Sequence, residues 1–310
     1  MANIKRFLGR NALQIGVAGA VVAGAGATAL FSSVPMSPVC TTGYGNCPPP
    51  PTSGYRVLTS NGSVYSYGNA VNDGSPAAQS KPGAPFLSMV QDPATTGYWV
   101  LSSKGNVDNY NAPWYGSPAI NHPGAYTVGI ASTMHGNGYW VLTSTGNVFN
   151  YGTAGWHGSP AAEGVRNVRF VAIGMSPSGH GYWLLTAAGN VFNFGSGTPW
   201  LGSPAAAHSG GMPYTGLTPS APSSTGGSPG YYVIGAGGNI YNYGSAVWNG
   251  SPAASRLGYV GASGILADST GGGYWVTTYG GSVLNYGDAK WYGSPRAGGS
   301  TSSPVTAIAG

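Results

Sequence analysis

The chain ends on a short strand-like run that no repeat follows, and this displaced strand constrains the fold more than any other feature. From Gly54 onward the sequence is periodic. A Gly-Tyr start recurs at Gly54, Gly97, Gly138, Gly181, Gly230 and Gly273, and a Gly-Ser-Pro end at Gly74, Gly116, Gly158, Gly202, Gly250 and Gly293. The starts lie 43, 41, 43, 49 and 43 residues apart, a period that suits four-stranded propeller blades. Small, apolar runs precede the later starts, such as Val128-Gly129-Ile130-Ala131 and Val171-Ala172-Ile173-Gly174. The first start lacks such a run, and Val305-Thr306-Ala307-Ile308-Ala309-Gly310 supplies one at the far end of the chain. An open solenoid needs capping repeats and has no use for a lone terminal strand. A ring does, because closure pairs backbone groups that a free sheet edge would leave open.

Within a unit, Tyr139 to Ser144 reads as a β-rich run, Thr145-Gly146 as a hairpin turn, and Val148 to Tyr151 as the returning strand. Alternation puts Val148 and Asn150 on one face of that strand, and Phe149 and Tyr151 on the other. A short fourth strand carries Trp156. The small run between units suits the crowded innermost position near an axis. The expected fold is therefore all-β: a six-bladed β-propeller of four-stranded blades over residues 54–310, closed by the strand Val305 to Gly310. Two packed trefoil-like bundles are the competing arrangement. The 49-residue interval after Gly181 places a long exposed loop at Thr218 to Pro229, rich in Ser, Pro and Gly.

Composition agrees with this architecture. Charged residues are 5% of the chain and aromatics 12%, with 55 glycines. Disordered chains show the opposite balance, few aromatics and high charge. The formal net charge of +5 is concentrated at Lys5, Arg6 and Arg10. Without them eight basic residues face six acidic ones, and no cluster remains to follow a phosphate backbone. Nucleic acid is therefore not an expected partner.

Residues 1–31 read as an export segment: the basic residues, then an apolar run from Ala12 to Phe31, with Ala27-Thr28-Ala29 as a small-x-small cleavage pattern. The run is also near the ~20 residues that span a bilayer, so it is a signal peptide or a membrane anchor. Membrane contact is expected only through residues 12–31 if they are retained. Residues 32–53 read as a linker with a Cys pair and a Pro-rich spacer. Cys40 and Cys47 are the only two cysteines, and in an exported chain a disulfide is favoured over a metal site that has no further ligand nearby. Pro48 to Pro51 form a stiff polyproline II spacer.

The units resemble those of a family of extracellular actinobacterial repeat proteins, whose pattern is Gly-Tyr-Trp-Leu-Val-Ala-Ser-Asp-Gly-Gly-Val-Phe-x-Phe-Gly-Asp-Ala followed by an aromatic and Tyr-Gly-Ser. Gly181 to Gly195 and Gly273 to Ser294 match best, and the resemblance covers Gly54 to Gly310. It implies a β-propeller-like scaffold with no catalytic motif. The chain departs from the pattern at Asn109, Asn150, Asn193, Asn242 and Asn285 in the third strand, and generally lacks the hairpin Asp.

Chemistry-bearing residues are sparse. The six acids, Asp73, Asp92, Asp108, Glu163, Asp268 and Asp288, fall at different repeat positions, although Asp92 and Asp268 both follow inner strands. The five histidines, His122, His135, His157, His180 and His208, show no metal-ligand spacing. Ser176 in Gly-Met-Ser-Pro-Ser-Gly lacks the strand-turn-helix of a nucleophile elbow. No enzyme, cofactor or metal site is expected.

Binding fits better. All nine tryptophans occupy two repeat positions. The residue after the second one varies: Tyr115, His157, Leu201, Asn249 and Tyr292, with Asp73 at this place in the first unit. A varied position beside a constant Trp is expected to be exposed, and aromatic and amide groups suit sugars. Asp73, Tyr115, His157, Asn249 and Tyr292 are thus candidate ligand contacts. In the alternative arrangement the tryptophans are inter-blade core and their neighbours are tolerated. The expected role is a secreted or cell-surface, non-enzymatic interaction module, with cell-wall or surface polysaccharide or surface proteins as partners. A lectin-like propeller and a structural subunit of a coat or filament are the alternatives.

Overall fold

The computed structural model describes residues 54–81, 85–207, 213–220, 228–299 and 301–310. The export segment, the Cys40–Cys47 pair and the proline spacer lie outside the described residues, as do residues 221–227 of the expected long loop.

The strands in chain order are β1 (Gly54–Thr59), β2 (Val64–Gly68), β3 (Phe86–Gln91), β4 (Tyr98–Ser102), β5 (Val107–Tyr110), β6 (Thr127–Ser132), β7 (Gly138–Thr143), β8 (Val148–Gly152) and β9 (Phe170–Met175). They continue as β10 (Gly181–Thr186), β11 (Val191–Gly195), β12 (Tyr214–Pro219), β13 (Gly230–Gly235), β14 (Ile240–Gly244), β15 (Ala262–Ala267), β16 (Gly273–Thr278), β17 (Val283–Gly287) and β18 (Val305–Ala309). One helical turn, α1 (Pro118–Asn121), lies between the second and third blades. Thr218 and Pro219, expected at the start of the long loop, are the last residues of the inner strand β12.

Six antiparallel sheets result, five of them from consecutive strands. The first blade is β18-β1-β2, with Arg56 opposite Ala309, Val57 opposite Ile308 and Leu58 opposite Ala307. The C-terminal run thus pairs as the inner strand of the first unit. The inner strands neighbour one another in the cyclic order β3, β6, β9, β12, β15, β18 and back to β3. This is a six-bladed propeller.

Among the described residues each sheet has three strands, not the expected four. The outer segment carrying the second Trp runs without ladder pairing because side chains take its carbonyls. In the third blade Trp140 Nε1 donates to Gly155 O at 2.7 Å and Asn150 Nδ2 donates to Ala154 O at 2.8 Å. In the second and fourth blades Pro113 and Pro199 also lack the N–H a strand would need.

The core is divided among the junctions between blades. Six apolar clusters are found, one per junction, and the sixth joins Trp275, Val283 and Ala289 to Tyr55, Val57, Val305 and Ile308. Middle strands such as β1, β7 and β16 are buried along their whole length because a neighbouring blade covers each face. For the same reason Val148 and Tyr151, on opposite faces of β8, are both buried in different junctions. At the hairpin glycine Gly146, φ is +85° and an added Cβ would lie 2.5 Å from the Phe170 ring of the next blade.

A repeated clasp links the blades. The tyrosine of each Gly-Tyr start donates its hydroxyl to the glycine carbonyl of the preceding blade's Gly-Ser-Pro. The bonds are Tyr139 to Gly116 at 2.6 Å, Tyr182 to Gly158, Tyr231 to Gly202 and Tyr274 to Gly250 at 2.5 Å, and Tyr98 to Gly74. Tyr55 completes the set at Gly293, 2.6 Å away. The following serine accepts the N–H three residues on in five of the six units, as at Ser159 and Ala162, which is the turn chemistry expected of Ser-Pro.

Candidate functional site

The outer end of the propeller carries a ring of indoles. Trp114, Trp156, Trp200, Trp248 and Trp291 are between 48% and 56% exposed, whereas the tryptophans after Gly-Tyr are buried. The expectation that the varied neighbours are the exposed partners is reversed. An indole is amphipathic, and in three blades its N–H closes onto the outer strand: Trp114 to Val107 O, Trp200 to Val191 O and Trp291 to Val283 O, each at 3.1 Å. This leaves a ring face toward solvent.

Each exposed indole sits on a segment pinned at two carbonyls. In the second blade Asn109 Nδ2 holds Ala112 O at 2.6 Å and Trp99 Nε1 holds Pro113 O at 2.7 Å. Asn193, Asn242 and Asn285 repeat the first bond; Trp183, Tyr232 and Trp275 repeat the second. The asparagines that separate this chain from the resembled pattern therefore anchor the Trp segments.

The varied residues pack into the junctions beneath. Tyr115 lies 5.7 Å from the Tyr139 ring and donates to Gly136 O at 3.0 Å. His157 lies 6.0 Å from Trp140 and 5.8 Å from Tyr182, and burial, followed by nearby His180, lowers its pKa. Tyr292 meets Tyr55 at 5.8 Å, Asn249 N donates to Tyr274 Oη at 3.1 Å, and Leu201 joins the junction of Trp183 and Tyr231. All are half-buried.

Asp73 has a different setting. Arg56 replaces the buried Trp in the first blade, is fully buried, and makes the same bond, from Nε to Val71 O at 2.8 Å. Its other nitrogens reach Gln91 Oε1 and Thr96 O in the next blade, and its guanidinium lies 4.7 Å from the Tyr98 ring. Burial lowers the Arg56 pKa, opposed by Tyr98 and Asp73. Burial raises that of Asp73, opposed by Arg56. Asp73 thus serves as a countercharge near a buried cation, a relationship no periodic pattern signals.

Of the remaining acids, Asp268 and Asp288 meet at one turn, whereas Asp92 and Asp108 stand apart from them. Asp92 accepts from Ala94 N and Thr95 Oγ1 in its own turn, Asp268 accepts from Thr270 and Gly271, and Asp288 shares Thr270 with it. Burial raises the pKa of Asp92 and of Asp268, the latter with help from Asp288. Asp108 pairs with Lys81 at 2.5 Å. No group of three or more His, Cys, Asp or Glu able to hold a metal occurs among the described residues. A central channel of about 670 Å³ runs between the six inner strands, lined mainly by apolar side chains such as Met89, Ile130, Ile173, Leu217, Ile265 and Ile308.

No family model and no curated protein sequence matches the chain. Among solved structures, a chain in the crystal structure of a Nidogen/Laminin complex is similar at 10% identity with a TM-score of 0.53, covering 83% of this chain and 97% of that one. The Cps50 (Swd1) beta-propeller domain of Myceliophteria thermophila gives 11% identity and a TM-score of 0.43, covering 72% and 75%. At such identities the first likeness concerns the fold alone, and it agrees with the ring of blades described above.

Proposed function

We propose that this chain is an exported, non-enzymatic interaction module that uses its outer tryptophan ring as a multivalent contact surface. The observation that carries the reading is the repetition: five indoles at equivalent positions, each about half exposed and each held by a pinned segment. A large aromatic left in water at one position needs no explanation, but the same one at five positions around a ring presents a patterned surface. Equivalent sites on one rigid body gain avidity for a polymer through effective concentration, even when each is weak. The export segment, the sparse charge and the resemblance to extracellular repeat proteins support a cell-surface polymer as the partner, polysaccharide first and surface protein second.

The test is co-sedimentation of the full-length protein with purified cell-wall material and surface polysaccharide. Replacing Trp114, Trp200 and Trp291 together by Ala should lower retention by about tenfold or more, because avidity falls with the number of linked sites, while the β-sheet circular dichroism persists. Retention unchanged in that variant overturns the reading. Fractionation of intact cells tests export, and a cytoplasmic pool alone would contradict it.

A further inference from the structure

We propose that the outer groove of the third blade is a binding site for an uncharged saccharide. The inference deepens the tryptophan-ring reading and rests on it. The groove encloses about 400 Å³, within the ~300–1,000 Å³ typical of small-ligand sites. It forms where α1 follows the second blade's Gly-Ser-Pro and carries His122 onto the third blade. The His122 backbone N–H caps the turn at Pro118 O, 2.7 Å away. Its imidazole then stacks on Phe149 of β8, with centroids 3.9 Å apart and planes 9° from parallel. Among the described residues α1 is the only helix, so this shelf is particular to one blade.

The lining matches sugar chemistry in three respects. Trp156 supplies a half-exposed indole, and the His122–Phe149 stack supplies a second aromatic surface, platforms for the C–H faces of a pyranose ring. Asn121, Asn147 and Asn150 line the same space, and amides offer both donors and acceptors to hydroxyl groups. Among the described residues no Asp, Glu, Lys or Arg lines it, so a charged ligand would lose hydration without gaining a counterion. The indole N–H of Trp156 is also available. In the second, fourth and sixth blades this group bonds the outer strand, whereas Trp156 makes no such bond among the described residues, although Val148, the equivalent acceptor residue, lines the groove.

The experiment titrates full-length protein with neutral oligosaccharides (β-1,4-glucan, α-mannan and β-galactan fragments) and with acidic polygalacturonate fragments, following tryptophan fluorescence and saturation-transfer NMR. At least one neutral series should bind, and the acidic one should not. Trp156→Ala should weaken binding by about tenfold or more, as expected of an aromatic anchor, and His122→Ala should weaken it less. Leu257→Ala, exposed on another blade and outside the tryptophan ring, should leave single-site binding within about twofold; each variant is checked for a native circular dichroism spectrum. No neutral binding at millimolar ligand, preference for the acidic series, or indifference to both Trp156→Ala and His122→Ala overturns the site. Equal losses from Trp156→Ala and Trp248→Ala would overturn this groove while sparing the ring. Polymer retention indifferent to every rim substitution would overturn both.

Discussion

Tyr55 Oη donates a hydrogen bond to the carbonyl of Gly293 at 2.6 Å, across 238 positions of sequence. It is the same bond that joins every other pair of neighbouring blades, so ring closure uses no special chemistry. Gly293 has φ of +137°, and an added Cβ would lie 2.6 Å from the Tyr67 ring. The closing glycine is therefore required by both backbone and space.

This equivalence predicts equal costs at closed junctions. Tyr55→Phe and Tyr139→Phe each leave a buried carbonyl without its partner, which should destabilise the fold by about 1–3 kcal/mol. Thermal unfolding of the two variants should shift by similar amounts. A Tyr55→Phe protein with the parent's melting temperature would show that the first and sixth blades do not close in solution. Deleting residues 305–310 removes β18 and should lower the melting temperature far more than either substitution.

The first junction predicts a hierarchy at Arg56. Arg56→Ala strands Gln91 and two carbonyls, removes the cation that offsets half-buried Asp73, and should cost about 3 kcal/mol or more. Arg56→Trp returns an indole N–H to the position it holds in four other blades, where it bonds the residue before the outer Trp. Chemical denaturation should therefore rank parent, Arg56→Trp and Arg56→Ala in descending stability. Equal loss in the two variants would mean that the Val71 bond is not the one that matters.

The clasp tyrosines predict alkaline unfolding. Burial pushes Tyr98, Tyr139, Tyr182 and Tyr274 up to about 12 from the ordinary 10. A raised folded-state pKa favours the protonated form, so this stability is complete below pH 10 and is lost as pH rises through about 12. Tyrosinate absorbance and loss of β-sheet circular dichroism should appear together in that window. Titration of these tyrosines near 10 with the sheets intact would contradict the buried clasp.

His157 predicts the opposite slope in acid. Burial first, and His180 second, lower its pKa below the ordinary 6.5. A depressed folded-state pKa on a base means that its stability is present above pH 6.5 and lost as pH falls through the lowered value. Leu201 fills the equivalent place in the fourth blade, so His157→Leu should fold. Its melting temperature relative to the parent should rise between pH 7 and pH 5. An unchanged difference across that range would show that the imidazole is solvated.

Much of this architecture was legible in the chain because short-range patterns encode strands and turns. The Gly-Tyr and Gly-Ser-Pro spacings announced six units, and Val305 to Ala309 announced the missing inner strand of the first. What spacing cannot show is which distant groups meet. Nothing local pairs Tyr55 with Gly293, sets Arg56 against Gln91, or stacks His122 on Phe149. Each contact exists only because blades neighbour one another around an axis.

Exposure was the harder property. Trp156 is the larger apolar residue and His157 the polar one, so hydropathy would bury the first and expose the second. In the structure the junction between blades takes the residue that points back toward Trp140 and Tyr182, whichever type it is. The fourth strand failed for a related reason: Asn150 and Trp140 claim carbonyls that a ladder would have used. By itself the sequence determined the repeat, its number and its closure, all properties of order along the chain. The tertiary structure alone decided which face of each repeat meets water, because that depends on what the neighbouring blade covers.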